Sequence, residues 1–329
     1  METMALIWDR ARTKRSRIVL PESWDERVLR AAATAAQEGL AQPVLVGAAG
    51  QVKESCRRLG LSLAGAEVVD CAASERVSLF AEILLGRRQH KGMTPGEAEA
   101  CAGRPLFYAA LAVAAGDADG MVAGAATTTA EVMRSLLWSV GMADGVECVS
   151  SALLMILGGP DRGKALIFAD AGVVPDPSPA QLASIAIASA ATRRRLVGDQ
   201  PRVAMLSFST KGSASHPLVE KVVEATRIAR QIDPDLAIDG ELQADAALVG
   251  DVARRKAPSS DVAGQANVLV FPNLDAANIG YKLVERLAGA RAFGPVLQGL
   301  KRPASDLSRG CSADDIVNVI AMTAAQREA

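Results

Sequence analysis

Short β-branched runs alternate with longer stretches of helical period along most of the chain, the pattern of strand–helix units around a mainly parallel sheet. The spacing predicts strands at Arg17–Leu20, Pro43–Gly47, Glu67–Asp70, Gly120–Gly124, Lys164–Ala169, Arg202–Phe208, Leu236–Asp239, Asn267–Phe271 and Pro295–Gln298. Between them it predicts helices at Asp25–Glu38, Ser74–Arg88, Thr128–Ser139, Pro179–Arg195, Pro217–Gln231, Ala277–Ala290 and Ala313–Gln326. The stretch Gly158-Gly159-Pro160-Asp161-Arg162-Gly163 lies between two apolar runs and predicts a hairpin-like turn. No repeat of solenoid period and no low-complexity tract interrupts the pattern. At 329 residues the chain is long for a single core, so two α/β domains are expected. The final strand and helix are too little to form a domain and must pack on something earlier.

Composition narrows the class. Half of the residues are apolar but only 3% are aromatic, so the core is expected to rest on Ala, Val, Leu and Ile. With 36 basic and 37 acidic side chains the net charge is -1, which removes a general electrostatic reason to bind nucleic acid. An anionic ligand would need cations gathered locally. Five scattered cysteines, Cys56, Cys71, Cys101, Cys148 and Cys311, form no C-x-x-C pair and fit a reduced, cytoplasmic protein. The basic N-terminal run Arg10, Arg12, Lys14, Arg15 and Arg17 is expected on a solvated first helix, and no window has the roughly 18 apolar residues of a membrane span.

Two histidines, His90 and His216, stand far apart in sequence and give little support to a histidine triad or a metal cluster. The chain offers instead serine, threonine, glycine and arginine on loops that follow strands and open helices, which are parts for holding phosphate. One such loop is GMVAGAATTTAEVMR (120–134). Thr128 and Glu131 have capping-box spacing, free N–H groups at the helix start suit an anion, and Arg134 follows about two turns in. A plain capped helix with a solvated arginine explains the same residues. A second loop is SFSTKGSAS (207–215), with Lys211-Gly212 among hydroxyls but without the P-loop pattern. A bland turn is the alternative there. The third is DLSRGCSADDI (306–316), where Ser308 and Arg309 stand beside Gly310, and Ser312 and Asp315 have the S-x-x-D form of a capping box. Asp315 reads equally as a cap. Arg27, Arg88 and Lys91 read, by themselves, as surface charges.

Together these segments resemble the phosphate acetyltransferase (phosphotransacetylase) family. The matching blocks are VLPESWDERVLRAA (19–32), HKGMT (90–94), GMVAGAATTTAEVMR (120–134), IFADAGVVPDPS (167–178), VAMLSFSTKGSASHP (203–217), IDGELQADAA (238–247), KAPSSDVAGQANVLVFP (256–272) and the long final block 278–317. The resemblance implies two three-layer α/β domains with mainly parallel sheets and an active-site cleft, like the isocitrate and isopropylmalate dehydrogenases. It places residues 1–146 and 294–329 in a discontinuous first domain and 147–293 in a second, and it implies a homodimer. Ser308, Arg309 and Asp315 match the family's catalytic serine, arginine and aspartate. Arg27, Arg88 and Arg134 match arginines of substrate and coenzyme A contact, and Thr128 and Lys211 join them as candidate binding residues. Ala277 stands where a glycine is expected, which bears on the shape of what is expected to be a loop there.

The implied reaction is reversible transfer of an acetyl group between coenzyme A and inorganic phosphate. Coenzyme A, acetyl-CoA, acetyl phosphate and phosphate are the small-molecule partners, with no metal or resident cofactor. A butyryl or other short-chain acyl transferase, and a non-catalytic acetyl-CoA-sensing module, are the alternatives. A dehydrogenase on the same scaffold is disfavoured, since no G-x-G-x-x-G follows the first strand.

Overall fold

The structure, a computed structural model, describes residues 2–327. Its strands are β1 (Arg17–Leu20), β2 (Gln42–Val46), β3 (Glu67–Val69), β4 (Gly120–Ala123), β5 (Ser150–Ile156), β6 (Ala165–Ala169), β7 (Val203–Leu206), β8 (Ile238–Leu242), β9 (Val268–Val270), β10 (Arg291–Gln298) and β11 (Ala304–Asp306). The chain divides into two compact units, one built on Gly145–Gly299 and the other on Met4–Asp144 with the segment from Leu300 onward. Both are mixed α/β layers with mainly parallel strands flanked by helices.

The discontinuous unit orders its strands β3-β2-β1-β4-β11, all parallel. β11 lies against β4 with Ala304, Ser305 and Asp306 opposite Met121, Val122 and Ala123. The helix Ala313–Ala325 that follows is buried from Ile316 to Ala325 and packs on the helix Glu26–Gln37 and on β4. Burial at this depth is worth about 1.5–3 kcal/mol for each large side chain, which is why so short a strand and one helix hold to this unit. The first helix, Glu2–Lys14, is only partly solvated: Ile7 and Ala11 are fully buried, so it is amphipathic, and of the basic run expected on it Arg15 lies just past its end and Arg17 on β1.

The other unit orders its strands β10-β5-β6-β9-β7-β8, with β10–β5 and β5–β6 antiparallel and the rest parallel. β5 and β6 form the hairpin expected around residues 158–163. β10 pairs with β5 from Arg291 to Gln298, so this strand runs through the position 293/294 at which the sequence reading divides the domains. The core gathers Leu153, Met155, Leu166, Phe168, Leu206, Leu242 and Leu269. Ala277 belongs to this core, fully buried inside the helix Leu274–Ala288 rather than in a loop. Its methyl group therefore bears on helix packing.

Candidate active site

In parallel α/β sheets the loops at the carboxyl ends of the strands carry the chemistry. In the discontinuous unit three such ends are those of β1, β4 and β11, and they bring most of the predicted residues together. After β4 the chain turns at Gly124, whose φ of 106° suits glycine. A Cβ there would stand 2.4 Å from Asp306 Oδ1 and 2.7 Å from the Leu307 nitrogen. Backbone N–H groups of Gly124, Ala125, Ala126 and Thr127 then converge, as expected of an anion site. The anion is already present. Glu22, fully buried after β1, accepts from Gly124 and Ala125 on Oε2 (2.9 and 2.8 Å) and from Ala126 and Thr127 on Oε1 (2.9 and 2.7 Å). The Thr127 hydroxyl adds a fifth bond at 2.7 Å. Thr128 caps the helix Thr129–Ser139 and makes both bonds of a capping box with Glu131.

β11 leads directly into the DLSRGCS loop. Ser308 and Arg309 are exposed, and among the described residues the Arg309 guanidinium makes no hydrogen bond. The Ser308 hydroxyl accepts from the Gly310 N–H at 3.3 Å. Asp315 is exposed and completes a capping box: its Oδ2 accepts from the Ser312 N–H at 2.9 Å and hydroxyl at 2.8 Å. The cap leaves Oδ1 without a hydrogen-bond partner among the described residues. Cys311 lies half-buried in the same loop, and burial pushes its thiol up to about 11.

Asp306, at the end of β11, is buried and accepts from the Thr129 hydroxyl at 2.6 Å through Oδ2, while Oδ1 is buried without a partner. Burial pushes its carboxyl up to about 6, the Thr129 bond opposes the shift, and the neighbouring Glu22 charge adds to it. Neither Glu22 nor Asp306 stands out in the sequence, because a lone acid on a strand end has no periodic or spacing signal.

The arginines fare differently from one another. Arg134 is exposed on the helix Thr129–Ser139 and makes no hydrogen bond among the described residues. Arg88 stacks on Trp138 of that helix, 4.5 Å from the ring centroid, with its Nε buried and unbonded. Arg27 is occupied on every nitrogen. It pairs with Asp25 through Nε (3.1 Å) and Nη2 (2.7 Å), and donates to the carbonyls of Arg309 (2.8 Å), Cys311 (2.9 Å) and Ala125 (2.7 Å).

Lys211 belongs to the other unit. It adopts φ 49° and its ammonium pairs with the buried Asp239, which Arg230 also holds. The donors of its loop are used internally: Gly212 N–H goes to Glu241 at 2.8 Å, Thr210 N–H to Ser213 at 3.0 Å and Ala214 N–H to Ser209 at 3.1 Å.

Ser308 and Arg309 stand exposed on one loop of an α/β scaffold, with Arg88 and Arg134 on the same unit, and the chain belongs to the phosphate acetyl/butaryl transferase family, whose model matches residues 2–324. It is thus an acyltransferase. It is 47% identical over 330 residues to a phosphate acetyltransferase of Clostridium acetobutylicum, covering 100% of this chain and 99% of that one. Among solved structures it is similar to the EutD phosphotransacetylase from Staphylococcus aureus (TM-score 0.92, 40% identity, 99% and 98% of the two chains). It is also similar to a phosphotransacetylase from Streptococcus pyogenes (TM-score 0.93, 40% identity, 99% and 98%).

Proposed function

We propose that this chain transfers an acetyl group reversibly between coenzyme A and inorganic phosphate. The observation that carries the reading is the Arg309 guanidinium, exposed beside Ser308 and without a hydrogen bond among the described residues, on a chain matched from end to end by phosphate acetyltransferases. A planar fork of N–H donors fits two phosphoryl oxygens at once.

In the proposed mechanism Arg309 holds the phosphoryl group of acetyl phosphate, and Ser308 donates to the carbonyl oxygen as the thiolate of coenzyme A attacks and charge develops there. The carbon–sulfur bond forms as the bond from carbon to the phosphate oxygen breaks, and the leaving phosphate takes up the proton removed from the thiol and departs as the hydrogen phosphate dianion. Asp315 receives the thiol proton on the oxygen that the cap leaves free. A free aspartate and a free thiol differ by more than about four pKa units, so this transfer between free groups would be roughly 6 kcal/mol uphill. Cations around the thiol must therefore acidify it, and positioning supplies much of the rate. Arg88 and Arg134 neutralise phosphates of coenzyme A, and Thr128 and Lys211 are the remaining candidate contacts.

The family description spans acetyl and butaryl transfer, so acyl length is the second reading. The test is acetyl-CoA formation from acetyl phosphate and coenzyme A, run beside propionyl and butyryl phosphates. A higher kcat/KM for butyryl phosphate would overturn the acetyl assignment. Absence of turnover with every acyl phosphate would favour a sensing module instead. No helix among the described residues is long and apolar enough to cross a membrane, and the scattered free cysteines support a cytoplasmic protein. A homodimer is supported by the exposed stripe Ile279, Leu283 and Leu287, spaced four apart on the helix Leu274–Ala288.

A further inference from the structure

We propose that Arg27 is a positioning residue, a clamp that fixes the DLSRGCS loop against the loop after β4, rather than a ligand for substrate. The proposal rests on the acyl-transfer reading of Ser308 and Arg309 for its effect on rate, but its geometric content stands by itself.

A guanidinium carries five N–H donors. Here one Nη1 serves two carbonyls on the same loop, those of Arg309 and Cys311, while Nη2 reaches the Ala125 carbonyl on the other loop. The remaining contacts go to Asp25, whose two oxygens hold Nε and Nη2 and so set the plane of the fork. Asp25 is itself fixed as the N-cap of the helix Glu26–Gln37, accepting from the Arg27 N–H at 2.9 Å. The side chain of Arg27 is only 32% exposed, and that of Asp25 14%. A phosphate arriving at Arg27 would have to displace bonds to three carbonyls and would meet the Asp25 carboxylate beside it. Arg309 presents none of these obstacles.

From below, the two loops are joined by the Asp306–Thr129 bond and by the Leu307 N–H donating to the Ala123 carbonyl at 2.7 Å, while Glu22 holds the 124–127 backbone from within. Arg27 thus ties the outer edge of the loop, next to the residue whose guanidinium is proposed to bind phosphate. An ammonium is a point charge with no rigid fork and cannot span carbonyls on two loops in this arrangement.

The experiment uses the full chain and compares wild type with Arg27→Gln, Arg27→Lys and Asp25→Asn. Steady-state kinetics with coenzyme A and acetyl phosphate are paired with amide hydrogen exchange over residues 308–312. For Arg27→Gln the clamp predicts a fall in kcat of about 10²-fold, the scale of a displacement near 1 Å at a reacting group. The KM for coenzyme A stays within about twofold, and exchange in the loop quickens by about tenfold or more. Arg27→Lys should behave like Gln. Asp25→Asn keeps a capable N-cap and should show the same signature at about a tenth of the size, so it decides the matter if Arg27→Gln does not fold. A raised KM for coenzyme A, rescued by Lys, with loop exchange unchanged, would make Arg27 a phosphate ligand and overturn the clamp. Unchanged kcat with unchanged exchange would overturn it too. If wild type itself transfers no acyl group, the acyl-transfer reading fails while the exchange data still judge the clamp.

Discussion

The loops after β4 and β11 are built to the same plan and end in opposite states. Each follows a parallel strand, each opens a helix, and each carries a complete capping box, Thr128 with Glu131 and Ser312 with Asp315. After β4 the converging N–H groups are filled by the Glu22 carboxylate with five bonds. After β11 the side chains of Ser308 and Arg309 face solvent, and the backbone carbonyls are those that Arg27 secures. One loop has its N–H donors filled by the protein's own carboxylate, and the other leaves a hydroxyl and a guanidinium exposed. The SFSTKGSAS loop is of the first kind, with Glu241 taking the place of Glu22. A sequence that looks like a phosphate cradle therefore becomes informative only when the protein's own carboxylates have been placed.

The comparison breaks most visibly at Asp315. If Asp315 is the base, Asp315→Asn should lower kcat by about 10²–10⁴ at a cost of about 1 kcal/mol of stability or less, since Ser312 remains the N-cap and an amide oxygen can still accept from its N–H. Near-normal turnover would leave Asp315 a cap and nothing more.

Glu22→Gln tests the filled loop. Its amide would point N–H groups at N–H donors, leaving buried donors unpaired, at a cost of about 3–5 kcal/mol. Chemical denaturation should show that loss, and a variant as stable as wild type would mean that the carboxylate does not hold the loop.

Asp306→Asn sharpens the picture through pH. A carboxyl whose folded pKa rises from 3.8 to about 6 favours the folded state while protonated, so its contribution is complete below about pH 4 and is lost as pH rises through 6. The difference corresponds to about 3 kcal/mol. The variant should therefore gain stability relative to wild type on going from pH 4 to pH 8. A difference between the two proteins that is flat with pH would show that Asp306 titrates normally.

The smallest effect is expected at Arg88→Ala and Arg134→Ala, each raising the KM for coenzyme A more than that for acetyl phosphate, by the equivalent of about 1.5–3 kcal/mol. Unchanged coenzyme A kinetics would return both to the solvated surface.

Much of this organisation is legible in the residues. Most strands and helices with clear alternation or helical period lie within a few residues of their expected bounds, and the capping boxes after β4 and β11 were visible as spacings. β5 was not, because Ser150–Ile156 is buried on both faces and has no alternation to detect. β11 has only three residues. Within the site, the loops and their hydroxyls were readable because their signals are local. Glu22 and Asp306 were not, since their partners lie about a hundred residues or more away in sequence. The saturation of Arg27 depends on carbonyls 98, 282 and 284 residues distant, and no spacing rule reaches that far.

The pairing of β4 with β11 also sets a schedule for synthesis. Met121 must wait for Ala304, 183 positions later (304 − 121), before that side of β4 acquires a neighbour. At translation rates of roughly 5–20 residues per second the interval is on the order of 10–40 s. Throughout it the nascent unit presents an unpaired parallel edge, the kind of surface on which chains stick to one another. A cell making this protein thus has reason to shield the half-made chain, and a stall before residue 304 would yield an adhesive fragment lacking the Ser308–Arg309 loop altogether.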